Sequence, residues 1–339
     1  MSIDNSPSGD QRAADRRERH KRRRRRTTWT LIVCVAIVVV AALIAVGLPA
    51  WKLHRSIADG TTYVPDVLPD DSSRPPETKK GTENILFLGS DKRPKGSSVT
   101  GQRSDVMMLV HIDADHENAY AISFPRDLWV PVDGHGHQKI NAALAFGGLP
   151  LAAKTVEELT HVRLDHVAMI DFKGFAKMTD ALGGVTVDVP KTFTSRGVSF
   201  TKGPQKLDGK EALVFVRERH AFRDGDFQRM RDQQSFLKAL LDKTLSRDTL
   251  SSLSKTEDLV STVAPYLTVD RDFTTVQMAK LGWSMRGIRS SDITFITAPN
   301  LGTGRAGAAS IVKLDEPGMN KLGKALSNDS MGDYLAKNS

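Results

Sequence analysis

Residues 166–190 read HVAMIDFKGFAKMTDALGGVTVDVP. Val167–Ile170 is a short, uninterrupted apolar run, the signature of a strand covered on both faces. Phe172–Leu182 follows with helical periodicity. Gly183-Gly184 supplies the turn, because glycine alone enters positive φ without steric cost. Val185-Thr186-Val187-Asp188-Val189 then alternates as a half-buried strand does and is closed by Pro190. Strand, helix, glycine turn and strand in 25 residues predict an α/β fold.

The same pattern extends in both directions. Ile85-Leu86-Phe87-Leu88 is a buried strand ending at Gly89, Val106–Ile112 a second and Ala119–Phe124 a third, stopped by Pro125. Helical patterns cover Asn141–Phe146, Leu151–Thr160, Gly209–Phe215 and Phe227–Leu245. Weaker alternation continues through 254–267, 274–286 and 293–298 with no break that marks another domain, and no internal repeat is evident. Strands mixed with helices predict a sheet between helical layers.

The chain has 339 residues, 40% of them apolar, with a formal net charge of +8. That excludes a wholly disordered polymer. Its one cysteine, Cys34, excludes an internal disulfide and a thiolate zinc site. The charge is concentrated. Residues 1–29 hold ten basic and four acidic side chains, a net of +6, which leaves +2 for all the rest. Thr30–Ala50 then runs 21 residues without a charge, between Trp29 and Trp51. At about 1.5 Å per residue this matches a hydrocarbon core of roughly 30 Å. Basic residues before it and interfacial tryptophans around it predict a single-pass anchor over 30–51, with the tail inside and the remainder outside. A signal peptide cleaved near Ala45-Val46-Gly47 is the competing reading, and a DNA-binding tail a weaker one. Residues 52–83, with four prolines, are expected to form a solvated, partly extended spacer; 84–330 the main domain; and 331–339 a tail.

Charges sit where the strands end. Asp91 lies just past Gly89, Arg103-Ser104-Asp105 leads into the second strand, and Arg126-Asp127 follows the third. Ligand sites of α/β sheets form in such loops. Arg217 and Arg219 follow as VRER, two apart and so on one side if the backbone is extended there. Arg229 and Gln233 are i,i+4 neighbours on the last long helix. Arginines grip phosphate oxygens bidentately and carboxylates hold a Mg²⁺ that faces them, the composition of a phosphoryl-transfer site. Ordinary surface ion pairs are the alternative that spacing alone leaves open.

The stretches NILFLGSDKRPKG, GQRSDVMMLVHID, ISFPRDLWVPVDG, KINAALAFGG, TVEELT, DFKGFAKMTDALGGVTVDVP, LDGKEALVFVRERH and DFQRMRDQQSFL, in this order, resemble the LytR-CpsA-Psr family. The resemblance implies a three-layer α/β/α domain with a mixed central sheet, outside the membrane. It implies transfer of a glycopolymer (teichoic acid, capsule or another secondary wall polysaccharide) from a polyprenyl-diphosphate lipid to peptidoglycan. The new bond is a phosphodiester and polyprenyl phosphate leaves. On this chain Asp91 and Asp105 match the aspartates that hold Mg²⁺, with Mn²⁺ as the alternative ion. Arg103, Arg126, Arg217, Arg219 and Gln233 match the diphosphate grip, and Lys139 and Arg229 are further candidates. The implied partners are the lipid-linked polymer, the peptidoglycan acceptor and the membrane, with no nucleic acid. A diphosphate hydrolase and a non-catalytic lipid-binding regulator remain alternatives.

Two features depart from the family's pattern. Gln228 stands where a glycine is usual, and Asp232 where an arginine is common, with Arg231 one place earlier; this puts Arg229 and Arg231 in question. The cysteine pair that some members carry near Asp188–Pro190 is missing. Elsewhere, His135-Gly136-His137 is expected as a solvated loop rather than a metal site. Ser90 has no G-x-S-x-G context for a nucleophile. Asp127 is expected to order the Arg126 loop, and Asn141 to cap the following helix. Phe172 and Phe175 are candidates for a lipid pocket or for ordinary core.

Overall fold

A computed structural model of the chain describes residues 60–90, 104–218, 221–222, 225–244, 246 and 253–338. The expected membrane segment lies outside these residues, and no helix among those described is long and apolar enough to cross a membrane.

In chain order the elements are β1 (Thr62–Val64), β2 (Glu83–Ser90), β3 (Ser104–Ile112), β4 (Ala119–Phe124), β5 (Leu128–Val132), β6 (Gly136–Lys139) and α1 (Ala142–Thr160). Then come β7 (His166–Asp171), α2 (Phe172–Ala181), β8 (Val185–Val189), β9 (Phe193–Ser195), β10 (Val198–Phe200), β11 (Gly203–Leu207), α3 (Gly209–Phe215) and α4 (Gly225–Thr244). The last are α5 (Leu253–Val263), β12 (Leu267–Asp270), α6 (Thr275–Ser284), β13 (Ile293–Thr297), β14 (Asn300–Ala306), β15 (Ala309–Leu314), α7 (Glu316–Ser327) and α8 (Met331–Asn338).

The central sheet has seven strands in the order β1-β12-β7-β2-β3-β4-β13. It is mixed: β2 pairs parallel with β7 and antiparallel with β3, and β13 joins β4 in parallel. Because strand side chains alternate faces, β2 feeds two cores. Ile85 and Phe87 join Phe175, Phe236 and Leu259 on one face; Leu86 and Leu88 join Val156, Leu322 and Leu326 on the other. Helices α2, α4 and α5 therefore cover one face and α1 and α7 the other. A separate four-stranded sheet, β14-β15-β5-β6, packs against the second core.

The two helices expected at 141–146 and 151–160 are both present, as the two segments of α1 on either side of a non-helical Gly148 (φ 67°, ψ −156°), two residues before Pro150. Asn141 stands at its N-cap position, but its side chain makes no capping bond. Gly183 and Gly184 have φ of 72° and 87°, so the turn after α2 needs both glycines. Helix α7 meets the end of α1 so closely that a Cβ on Gly323 would lie 1.9 Å from the Thr160 carbonyl oxygen. Gly323→Ala is expected to destabilise by about 1–3 kcal/mol through overpacking. A urea midpoint equal to wild type would contradict that contact.

Both ends of the domain differ from expectation. Residues 62–64 of the expected spacer pair parallel with β12, Val67 is buried, and Arg74 reaches Glu157 of α1 at 2.7 Å. This stretch is only partly extended, with a short 3-10 turn at Asp71–Ser73; it is fastened to the domain at β1, Val67 and Arg74, while most of residues 70–81 stay exposed. At the other end, the expected tail forms α8, whose Met331 is buried in the second core. His135, Gly136 and His137 are all exposed, as expected: His135 lies in the turn before β6 and stacks on Phe146 at 4.2 Å, while Gly136 and His137 open strand β6, where His137 pairs with Pro131.

Candidate functional site

Four adjacent strands of the central sheet end on one edge. Ser90, the last residue of β2, is the register partner of Ser104 on one side and of Asp171 on the other. Phe124, the last of β4, pairs with Met107 near the start of β3. At roughly 4.8 Å between strands, β7, β2, β3 and β4 spread about 14 Å of edge. Parallel strands deliver their carboxyl ends there, and β3 delivers its amino end. This is where an α/β sheet leaves room for a ligand.

The register also fixes the acidic corner. The β2–β3 ladder shifts between Gly89 and Ser90, so Asp105 falls at the irregularity, between Ser104 and Val106. Ser90 and Ser104 are fully buried, and the Ser104 hydroxyl donates to the Gly89 carbonyl at 3.2 Å. Asp91 follows Ser90 directly in the chain but lies outside the described residues, as do Arg103 and Arg219. For Asp105, Arg229 and Gln233 the backbone position alone is described.

Arg126 sits on the turn between β4 and β5. The turn is pinned from both sides: Leu128 N–H donates to Pro125 O at 2.8 Å, and Asn141 N–H to Arg126 O at 3.3 Å. Asp127 bridges it to the next strand. Its carboxylate lies 3.0 Å from the Lys139 ammonium and 3.9 Å from Arg126 Nε. Asp127 thus orders the loop of Arg126, as its position suggested, and Lys139 is held beside that loop.

Arg217 follows α3, whose start is fixed by a capping box between Asp208 and Glu211. Its guanidinium lies 3.8 Å above the ring of Phe172. Phe172 opens α2 directly after β7, and Asp171 caps that helix by accepting from Gly174 N–H at 2.8 Å. The cap, the ring and the cation form one device: it fixes where α2 starts, and with it the platform under Arg217. Phe172 therefore supports an arginine, whereas Phe175 is core, packed on Phe236 at 5.1 Å. The supporting role of Phe172 was missed in the sequence. An Asp directly after an apolar strand and before a helical run is the one signal that marks the corner, as an N-cap.

In α4, positions 229, 232, 233 and 236 follow helical spacing along one stripe. Asp232 and Phe236 of that stripe are buried. The Asp232 departure from the usual arginine therefore faces the domain, not solvent. The structure thus places Asp105, Arg126, Lys139 and Arg217 along one edge of the central sheet, Arg217 on the face that α2 covers and Lys139 in the four-stranded sheet packed against the other, while Arg229 and Gln233 are located only along α4.

The profile of the LytR_cpsA_psr family matches residues 56–328. The chain is 38% identical over 197 residues to the polyisoprenyl-teichoic acid–peptidoglycan teichoic acid transferase TagT of Bacillus subtilis (strain 168), covering 56% of this chain and 60% of that protein. It is 33% identical over 227 residues to the regulatory protein MsrR of Staphylococcus aureus (strain COL), covering 66% of each. It thus spans less than two thirds of the length of either relative. Among solved structures, B. subtilis TagV aligns with a TM-score of 0.62 and 29% identity over 73% of this chain and 96% of that one. TagT bound to LI-WTA aligns with a TM-score of 0.59 and 27% identity over 76% and 95%.

Proposed function

The chain belongs to the LytR_cpsA_psr family, and from that membership we propose that it is a membrane-anchored phosphotransferase joining a lipid-linked glycopolymer to peptidoglycan. The observation that carries the reading is the convergence of four strand ends, which sets Asp105 and the Arg126 turn on one edge, with Arg217 over Phe172 where β7 ends. The likeness to TagT, a polyisoprenyl-teichoic acid–peptidoglycan teichoic acid transferase, and to its structure with LI-WTA supports the same substrate class.

Asp91 and Asp105 are the groups that would hold a divalent cation. Their donors are carboxylate oxygens, suited to Mg²⁺ or Mn²⁺. The ion, when bound, supplies charge neutralisation at the diphosphate. The remaining work falls to the chain's own residues. Arg126 and Arg217, with Arg103, Arg219 and Gln233, bind the diphosphate and orient the phosphorus next to the sugar. An acceptor hydroxyl attacks that phosphorus. The bond to the bridging oxygen breaks, and polyprenyl phosphate leaves with the negative charge that the arginines stabilise. The hydroxyl proton passes to a carboxylate at the same corner. Thr30–Ala50 anchors the chain, with residues 1–29 cytoplasmic and the domain outside.

The test uses the full-length chain in detergent with a polyprenyl-diphosphate disaccharide and an uncrosslinked peptidoglycan oligomer. With Mg²⁺, a phosphodiester-linked adduct is expected by mass spectrometry; with EDTA, at least a tenfold fall in rate, restored by added Mg²⁺. Sugar phosphate without adduct would favour a hydrolase. Retained lipid without turnover would favour a non-catalytic receptor.

A further inference from the structure

The four-stranded sheet has an outward face that the proposed reaction does not use. Leu128, Val130 and Val132 of β5 point into the core. Trp129 and Pro131 therefore point outward, as do their partners Lys139 and His137 on β6. On the other side of β5, Lys313 of β15 is the register partner of Trp129. One cross-strand row thus reads Lys313–Trp129–Lys139.

The row is open over its aromatic centre. Lys139 turns its ammonium to Asp127, 3.0 Å away, and Lys313 lies across Gly304 of β14, where a Cβ would come within 2.5 Å of its Cε. Among the described residues the indole has one ring neighbour, His137, at 6.5 Å. A partly exposed indole between two cations suits one ligand chemistry: a sugar ring whose apolar C–H face lies on the indole while anionic substituents meet the ammonium groups. The row is also continuous with the candidate site, because Lys139 and Arg126 share Asp127.

We propose that Lys313, Trp129 and Lys139 form a saccharide subsite that holds the donor's sugar segment adjoining the diphosphate gripped at Arg126. This rests on the function proposed above. The donor is the occupant because its first sugars are covalently joined to that diphosphate, and the row adjoins the Arg126 loop through Asp127.

The test compares two probes on the full-length chain, farnesyl diphosphate carrying a phosphate-bearing disaccharide and farnesyl diphosphate alone, with binding of an uncrosslinked peptidoglycan oligomer measured alongside. Trp129→Ala is expected to bind the sugar-bearing probe about tenfold more weakly, with the bare diphosphate unchanged. Trp129→Phe should recover most of the loss, and Lys313→Ala should weaken only the sugar-bearing probe. Equal binding by Trp129→Ala and wild type would overturn the subsite. So would a parallel loss for both probes, which places the effect on the Arg126 loop, or a loss confined to a peptidoglycan oligomer, which makes the occupant the acceptor. Wild type binding neither probe would overturn the proposed function itself, and the subsite with it.

Discussion

Alanine at position 217 is expected to lower kcat/KM for polymer transfer by about 10²–10³-fold, the usual loss when one charge-stabilising donor leaves a reaction centre. Arg217 is held over Phe172 at 3.8 Å, at the opening of α2, beside the strand ends that carry the acidic corner. A fixed guanidinium stabilises charge on a departing phosphate without reorganising, and it offers two parallel donors. Lysine, a point charge on a flexible stem, should recover only a small part of the rate. Arg217 is partly exposed, so the variant should keep a thermal midpoint close to wild type. A rate within threefold of wild type, in a folded protein, would remove Arg217 from the site.

The largest stability effect is expected from Arg74→Ala. The Arg74 side chain is 7% exposed and that of its partner Glu157 is 2%. Nη2 and Nε of the guanidinium donate to Glu157 Oε1 at 2.7 and 3.0 Å, and the Leu164 amide donates to the same oxygen at 2.8 Å. Arg74 Nη2 also donates to the Leu164 carbonyl. Removing the guanidinium leaves a buried carboxylate with one amide donor, a loss of about 3–5 kcal/mol. Domains are stable by only about 5–15 kcal/mol. Urea unfolding of the full-length chain, followed by tryptophan fluorescence, reads the change. Replacing both partners, Arg74→Met with Glu157→Leu, should restore most of the stability, since no charge is then stranded. A loss below about 1 kcal/mol, the size typical of an exposed pair, would mean that residues 60–83 are the loose spacer their composition suggested.

Much of the central sheet was legible because its strands are long, apolar and bounded by glycine or proline. Ala119–Phe124 and Gly209–Phe215 have the boundaries read from the sequence, and β7, α2 and β8 agree to within a residue. The four-stranded sheet was not legible. β5 contains Pro131, which reads as a breaker; β6 is Gly-His-Gln-Lys, without an apolar residue; β14 carries two glycines. Such strands are built by pairing and not by their own periodicity. The docked stretch 62–83 was hidden for a related reason. Three residues pair with a strand some 200 positions later, and one arginine meets a buried glutamate, both long-range facts that local composition does not carry. At the site, the charges at strand ends were visible, because α/β sheets place ligands there. The ring beneath Arg217 was not, because Phe172 reads equally well as core.

The most direct test of the account labels the phosphorus next to the sugar in a polyprenyl-diphosphate disaccharide with ³²P and supplies the full-length chain, Mg²⁺ and a peptidoglycan oligomer. The account predicts that the label enters the oligomer in acid-labile sugar-phosphate linkage and that unlabelled polyprenyl phosphate is released in equal amount. Label recovered in the lipid, or in free sugar phosphate while the oligomer stays unlabelled, would contradict it.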